Sequence, residues 1–137
     1  MKKVLLFLIM LVSPMAVSAA NIIYDMDIDI YIDEDGNAQI TEVWDVDGSD
    51  GTEWYKIMNN LDGSELTDFR VSMDGVELQQ KTWNVSENLS QKKGYYGINY
   101  TNSGLELCFG KYDYNRHTFI LNYDLSDIII NTNDIII

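Results

Sequence analysis

The stretch YDMDIDIYIDEDGNAQITEVWDV, residues 24–46, decides the fold because its apolar residues recur at every second position. Its first half places a row of largely apolar side chains on one face: Tyr24, Met26, Ile28, Ile30 and Ile32. The opposite face is mostly acidic: Asp25, Asp27, Asp29 and Tyr31. A period of two is typical of a half-buried β-strand and would serve no helix. We therefore predict a strand whose apolar face lies in the core and whose acidic face lies in solvent.

The letters DEDGNAQITEVWDV, residues 33–46, predict a turn followed by a returning strand, because turn-forming residues precede a renewed alternation. Pairing Ile30 with Ile40 places Met26 opposite Trp44, so that both apolar rows lie on one face. A slip by one residue would turn one row to the other face. The sequence therefore predicts an antiparallel hairpin in this register.

Glu42 is the acidic residue that this register places on the core face, opposite Ile28. A lone buried carboxylate is costly, so it should find a cation or backbone donors, or take up a proton. The basic residues available as partners are Lys56, Arg70 and Arg116. A pair of catalytic acids is the alternative, but a chain with 22 acidic residues always contains some pair. We expect a structural role for Glu42.

The remaining chain predicts further short strands. A hairpin is predicted at FRVSMDGVEL, residues 69–78, where Asp74 and Gly75 supply a two-residue turn. Other strands are predicted from the letters EWYKIM, KTWNV, YYGINY, LELCFG and TFILNYDL, with Trp83 pointing inward. The letters SENLSQKKG predict a polar loop, and no helix is predicted after the leader. Turn residues at intervals of roughly ten positions favour an all-β fold, an antiparallel β-sandwich of immunoglobulin-like or similar type.

The chain begins MKKVLLFLIMLVSPMAVSAA, in which two lysines precede an apolar run, a proline and small residues. This order is typical of a secretory signal peptide, and the run is too short to span a bilayer core of about 30 Å. We predict residues 1–20 as the signal peptide and residues 21–137 as a single β-rich extracytoplasmic domain. The protein is therefore expected to be exported.

Charge and cysteine content exclude several classes of function. The chain has 9 basic and 22 acidic residues, a formal charge of −13, and loss of the two leader lysines would make it −15. Each phosphate contact needs a Lys or Arg, so neither nucleic acid nor anionic lipid is an expected partner. The charge favours a basic partner or divalent cations instead. The single cysteine allows no internal disulfide.

Cys108 and His117, the one cysteine and the one histidine, raise the question of a nucleophile and its base. We predict that residues 105–125 form a hairpin whose apolar rows coincide. That hairpin has three informative pairs: Leu107 with Phe119, Phe109 with His117, and Cys108 with Thr118. A Cys–His pair would require a slip that exposes an apolar row, so we predict no such dyad.

The letters DEDGNAQITE, residues 33–42, partly match a calcium-binding EF-hand loop. Four residues occupy suitable positions: Asp33, Asp35, Gly36 and Glu42. Tyr31, however, occupies the first ligand position, and a hairpin turn needs the same residues for backbone reasons. We predict a structural turn, with weak calcium binding as the alternative, and no other cofactor, metal or catalytic residue.

The order of the motifs resembles a known bacterial family. After an exported start come YDMDIDIYIDEDGNAQITEVWDV, GTEWYKIM, WNVSENLSQKKGYYGI, ELCFGKYDYNRHTFILNYDLSDII and NTNDIII. This arrangement, over residues 22–137, is similar to the N-terminal exported domain of the predicted membrane proteins of domain-of-unknown-function family 2207 (DUF2207). The single motifs are weak, and their order and spacing carry the match.

The resemblance implies a β-rich extracytoplasmic domain, followed in longer relatives by further strands and transmembrane helices. The isoleucine triplets at residues 128–130 and 135–137 fit a domain that is incomplete at its C-terminus, and a stand-alone version is the alternative. The family has no established catalytic residues to carry over. The residues that match its pattern are expected to determine the fold: Gly36, Glu42, Trp83, Gly94, Cys108, Gly110 and Tyr123.

We therefore expect a non-enzymatic binding or sensing module of the bacterial envelope. It would contact another protein or a cell-wall component through loops and edge strands, and would reach a membrane only through segments absent from this sequence. The alternative is a secreted carbohydrate-binding β-sandwich, since three tryptophans and nine tyrosines could supply flat rings that stack on sugars. That alternative requires a planar patch of exposed aromatic side chains.

Overall fold

The computed structural model describes residues 20–128. Nearly all of the predicted signal peptide, and the isoleucine triplets apart from Ile128, lie outside the described residues. The described residues form nine strands: β1 (Ile22–Ile32), β2 (Ala38–Asp47), β3 (Glu53–Asn59), β4 (Leu66–Met73), β5 (Val76–Glu77), β6 (Gln79–Gln80), β7 (Tyr95–Thr101), β8 (Gly104–Gly110) and β9 (Arg116–Leu125). A four-residue helix, α1 (Leu89–Lys92), interrupts the series.

The strands form two sheets. Sheet A has the order β1-β2-β9-β4-β5, and sheet B has the order β3-β8-β7-β6. All pairs are antiparallel except the short parallel pair of β6 and β7. Apolar side chains from both sheets form one buried cluster between them. The prediction of an all-β sandwich is therefore confirmed, with sheet B mixed instead of purely antiparallel.

Contacts across the core show which strands of the two sheets face each other. Three of them locate the strands: Glu42 of β2 with Lys56 of β3, Phe119 of β9 with Phe109 of β8 at 4.9 Å between ring centroids, and Phe69 of β4 with Tyr96 of β7 at 5.1 Å. The strands of sheet B therefore lie over β2, β9 and β4. Sheet A extends one strand further on the β1 side.

The first hairpin has the predicted register. Ile30 pairs with Ile40, and Met26 pairs with Trp44, in an antiparallel ladder between β1 and β2. The turn between the strands needs a residue at positive φ, and Gly36 supplies it at φ 83°. The alternation of β2 also appears as predicted, because every second side chain from Ala38 to Val46 is buried.

The second predicted hairpin is also confirmed. β4 and β5 pair antiparallel around Asp74 at φ 50° and Gly75 at φ 82°. Positive φ at both central positions matches the twist of the flanking strands. The Asp74 carboxylate also accepts a hydrogen bond from the backbone N–H of Thr118 on β9, at 2.9 Å. The turn is thus tied to the neighbouring strand of sheet A.

The predicted hairpin between β8 and β9 is wrong. β8 pairs with β3 and β7 in sheet B, whereas β9 pairs with β2 and β4 in sheet A. None of the three predicted cross-strand pairs forms. The two apolar rows meet face to face across the core, as in the contact of Phe109 with Phe119, and not side by side in one sheet. Either arrangement buries both rows, so the local pattern could not distinguish them.

The segment from Lys81 to Gly94 also differs from the prediction. The letters KTWNV do not form a strand, and the polar stretch after them contains α1, which begins with a capping box between Asn88 and Gln91. The segment packs on the outer face of sheet B. A side chain at Gly97 or Gly110 would collide with the backbone of this segment, so these glycines allow it to approach closely.

Candidate functional site

Strand β1 carries an uncovered apolar face. The residues that pair with the buried side chains of β2 share their face, yet Met26 is 36%, Ile28 48% and Ile30 59% exposed. Every residue of β1 is exposed, so the prediction that this strand is half-buried is wrong. The reason is the extra width of sheet A, because no strand of sheet B lies over β1 among the described residues.

Two strand edges border this uncovered face. In the described part of the chain, β1 pairs only with β2, and β3 pairs only with β8. Each therefore presents a row of backbone N–H and C=O groups without a strand partner. We call the apolar face of β1, together with the outer edges of β1 and β3, the open side.

The reverse face of β1 carries the predicted aspartates, but Tyr24, predicted on the apolar face, also lies here because a bulge between Ile23 and Asp25 shifts the alternation, and its ring centroid lies 4.0 Å from the guanidinium carbon of Arg116. Asp25, Asp27 and Asp29 are all exposed. Within residues 20–128 none of the three forms an ion pair. Their direct neighbours on β2 are Asp45, Val43 and Thr41, none of which is basic. The edge strand therefore combines one apolar face with a row of aspartates that have no ion-pair partner among residues 20–128; the nearby cation Arg116 is paired with Asp45.

Glu42 lies beside the open side, and its partners explain how a carboxylate is tolerated in the core. Its side chain is fully buried and accepts hydrogen bonds from Trp44 Nε1 at 2.8 Å and from Tyr123 OH at 2.5 Å. It also forms an ion pair with Lys56 Nζ. Burial alone would raise the pKa of Glu42, but hydrogen bonds from Lys56, Tyr123 and Trp44 lower it below the usual value.

The Glu42 cluster therefore has a structural role, which agrees with the expectation from the sequence. Of the three proposed partners, Lys56 is the one that pairs with Glu42. Arg116 pairs with Asp45 instead, at 2.5 Å. Burial, followed by the hydrogen bond to Glu42, raises the pKa of Tyr123. The cluster holds β3 over β2, and β2 is the last strand on this side of sheet A that sheet B covers.

Lys92 forms a second buried polar cluster, here around a cation, which the sequence did not indicate. Its Nζ contacts Glu53 Oε2 at 2.8 Å, Thr52 Oγ1 at 2.9 Å and the Val85 carbonyl at 2.8 Å. Trp83 Nε1 donates to the same Glu53 oxygen at 2.7 Å. These bonds hold the segment 81–94 against sheet B. The capping pattern of α1 could have been found in the letters NLSQ, but nothing in the sequence marks Lys92 as buried.

Lys111 forms a third site of this kind. It is 2% exposed, and its Nζ donates to Asn21 Oδ1 at 2.8 Å and to the backbone carbonyl of Asp50. It also lies 4.3 Å from the centroid of the Trp54 ring. Burial lowers the pKa of Lys111, and Asp50 offsets part of that effect. The cation ties the start of the described chain to the loop before β3.

Cys108 and His117 do not form a pair. Cys108 is fully buried on β8 beneath the 81–94 segment, and burial raises the pKa of its thiol to about 12. His117 lies in the other sheet, where Nδ1 contacts Asp74 at 2.6 Å and Nε2 contacts Asp113 at 2.7 Å. Although burial lowers the pKa of His117, the bonds to these two acids raise it above the usual value. A protonated imidazole here joins two turns.

The residues of the calcium-like motif do not converge. Asp33 Oδ1 accepts hydrogen bonds from the backbone N–H groups of Asp35 and Asn37, each at 2.9 Å, so this carboxylate stabilises its own turn. Glu42 is engaged in the core cluster on β2. Within residues 20–128 no three His, Cys, Asp or Glu side chains are grouped so that they could hold a metal ion.

The tryptophans do not form an exposed planar patch. Trp44 is 6% and Trp83 is 8% exposed. Trp54 is half-buried, and its ring faces the Lys111 ammonium. Among the described aromatic side chains the most exposed is Tyr100, at 77%, beside an open groove of about 500 Å³. The tryptophans are thus core or covering residues.

Comparison of the chain with protein-family models, with curated proteins and with solved structures finds no match. The resemblance to family 2207 therefore stays a prediction. Within residues 20–128 no helix has the length and apolar character needed to cross a bilayer. Over residues 20–128, the fold and the surface define an acidic β-sandwich whose edge strand β1 has an uncovered apolar face.

Proposed function

We propose that this chain is the exported, extracytoplasmic part of a bacterial envelope protein and works as a non-catalytic interaction module. Its docking surface is the open side, and its partner is another protein. The leader predicts export, and the resemblance to family 2207 agrees with a place at the envelope. The observation that carries the proposal is the exposure of the apolar face of β1.

The exposed face is larger than scattered surface residues would explain. Five side chains on the core-facing side of β1 are at least 36% exposed: Ile23, Met26, Ile28, Ile30 and Ile32. Contiguous apolar surface beside an uncovered strand edge is typical of an interaction site. A protein partner that covered it would remove both the apolar area and the unpaired backbone groups from water.

The polar clusters favour binding over catalysis. Glu42, Lys92 and Lys111 are each engaged by several partners inside the fold. Their arrangement secures strands and loops, and leaves none of these three groups aimed into a cleft where a substrate could meet it. Because the tryptophans do not offer free stacking surfaces for a sugar, we do not propose the carbohydrate-binding alternative.

The test is photo-crosslinking in the native envelope. A photoreactive side chain replaces Ile30 in one variant and Val76 in a second; Val76 is also exposed, at 66%, but lies on β5 at the opposite edge of sheet A. We expect a discrete crosslinked species from position 30 and none of that size from position 76. Equal products from both positions, or none from position 30, would overturn the proposal.

A further inference from the structure

We propose that the partner docks by adding an extended strand to the outer edge of β1, and that this strand alternates apolar residues with lysine or arginine. This inference rests on the proposed function and names the chemistry of its partner. β1 offers a long edge, since its ladder with β2 runs without irregularity from Asp25 to Ile32. An added strand could satisfy the backbone groups along that edge.

The two faces of β1 determine which side chains the added strand would carry. Residues directly opposite each other in a pair of strands share a face. On the inner face, the added strand would lie beside Met26, Ile28 and Ile30, and would need apolar side chains. On the outer face it would lie beside Asp25, Asp27 and Asp29, and opposite charge is favoured there.

A second copy of this chain fits the edge poorly. If two β1 strands paired with their apolar rows on one face, their aspartates would lie opposite one another, and like charges in that position are destabilising. In the shifted register each aspartate would lie beside an apolar side chain on the same face. The acidic row thus protects an otherwise adhesive edge from self-pairing, while it attracts a basic strand. The formal charge of −13 acts in the same direction at longer range.

The direct test measures binding of synthetic peptides to the full chain by fluorescence anisotropy. The probe is a labelled nine-residue peptide that alternates lysine and valine. One control alternates glutamate and valine, and a second contains the lysines and valines of the probe in two blocks. We expect the alternating lysine peptide to bind at least about tenfold more tightly than either control, and its affinity to fall as salt is added.

Matched variants locate the site. The triple substitution D25N/D27N/D29N should weaken binding of the lysine peptide about tenfold, the effect expected for the loss of three cross-strand charge pairs. The variant D62N/E77Q/D127N loses the same charge at three other exposed positions and should bind within about twofold of the natural chain. Hydrogen exchange should slow in β1 when the peptide binds, and not in β3.

Several outcomes would overturn the inference. Equal binding of the lysine and glutamate peptides, or equal weakening by both triple variants, would remove the charge argument. Protection of β1 by self-association would identify a second copy as the occupant. Binding that appears only after residues 129–137 are deleted would identify that segment as the occupant. Discrete crosslinking from position 30 in any of these cases would leave the broader proposed function standing.

Discussion

The outer face of sheet B and the inner face of strand β1 differ in whether other parts of the chain cover them. On sheet B, the outer face around Gly97 and Gly110 is covered by the 81–94 segment. On sheet A, no part of residues 20–128 covers the apolar inner face of β1, although this face continues directly from the core. The 81–94 segment therefore covers the outer face of sheet B, which strands alone would have left exposed. The inner apolar face of β1, which a second sheet ordinarily covers in a sandwich, is left uncovered by residues 20–128.

The difference lies in how each region is secured. The covering segment is held by a buried cation, Lys92, which bonds to Glu53, Thr52 and Val85. β1 has β2 as its only strand partner among the described residues, with one further contact near its start, between the Tyr24 ring and Arg116 of β9. Burial and polar bonds make the first region part of the folding unit, whereas the second contributes a surface. This contrast predicts large losses of stability at the boundary and in the core, and small ones on β1.

The largest loss of stability is expected for Glu42→Ala, on β2 between the covered core and the exposed strand β1. The change removes the partner of Lys56 and leaves Trp44 and Tyr123 without their buried acceptor. Breaking a buried pair of this kind costs about 3–5 kcal/mol in free energy of unfolding. Urea denaturation measures the loss. Glu34→Ala, in the exposed turn, is the control and should change stability by less than about 0.5 kcal/mol; similar values for both variants would contradict the structural role of Glu42.

The second prediction compares two paired isoleucines. Ile40 is 7% exposed and Ile30 is 59% exposed, although they are direct neighbours on the same face of sheet A. Ile40→Ala should cost about 2–5 kcal/mol, because it leaves a cavity in the core. Ile30→Ala should cost less than about 0.5 kcal/mol. A large loss from Ile30→Ala would mean that β1 is covered within the folded chain, and the open side would not exist.

The third prediction tests the covered region. A Cβ at Gly110 would lie 2.0 Å from the carbonyl oxygen of Lys92, so Gly110→Ala must displace the covering segment. Overpacking of this kind costs about 1–3 kcal/mol. Gly48→Ala is the comparison: its Cβ would lie 3.1 Å or more from the side chain of the buried Lys111, which would have to give way by only a few tenths of an ångström, so a smaller loss is expected. Equal losses in the two variants would show that the close backbone approach at Gly110 is unimportant.

Features that depend on residues close together in the chain were predicted correctly from the sequence, whereas the pairing of distant strands was not. The register of β1 with β2 and the turn at Asp74 depend on neighbours in the chain, and both were predicted. The partners of β8 and β9 depend on which sheet each strand joins. The alternation of Leu107 and Phe119 is satisfied equally by pairing within a sheet and by facing across the core, so the sequence pattern could not decide between them.

The candidate site was harder to predict for a related reason. Alternation shows that β1 has an apolar face, but not whether another strand lies over it. That depends on the relative width of the two sheets, which no local pattern contains. The burial of Lys92 also could not be predicted from the sequence, because a lysine in a polar stretch is ordinarily exposed. Glu42 was recognised because a charge on a core face conflicts with its neighbours.

The smallest predicted effect concerns His117, which joins the β4–β5 turn to the residues before β9. Its bonds to Asp74 and Asp113 outweigh the effect of burial and raise the pKa of the imidazole in the folded state. A group with a raised pKa stabilises the fold fully below its unfolded pKa, about 6.5, and loses that contribution as pH rises through the folded value. The carboxylates of Asp74 and Asp113 have lowered pKa values, so their contribution is lost in acid.

The hydrogen bonds between His117, Asp74 and Asp113 should therefore stabilise the fold most in mildly acidic solution, where the two acids are ionised and the imidazole is still protonated. Both acids are partly exposed, which limits the contribution to about 0.5–1 kcal/mol. Urea denaturation of the natural chain and of His117→Gln, each measured at pH 5.5 and pH 8.5, should show a difference between the two proteins that is larger at pH 5.5. A difference that is equal at both pH values, or larger at pH 8.5, would mean that His117 contributes by packing against Phe119 and Tyr112 and not by its charge.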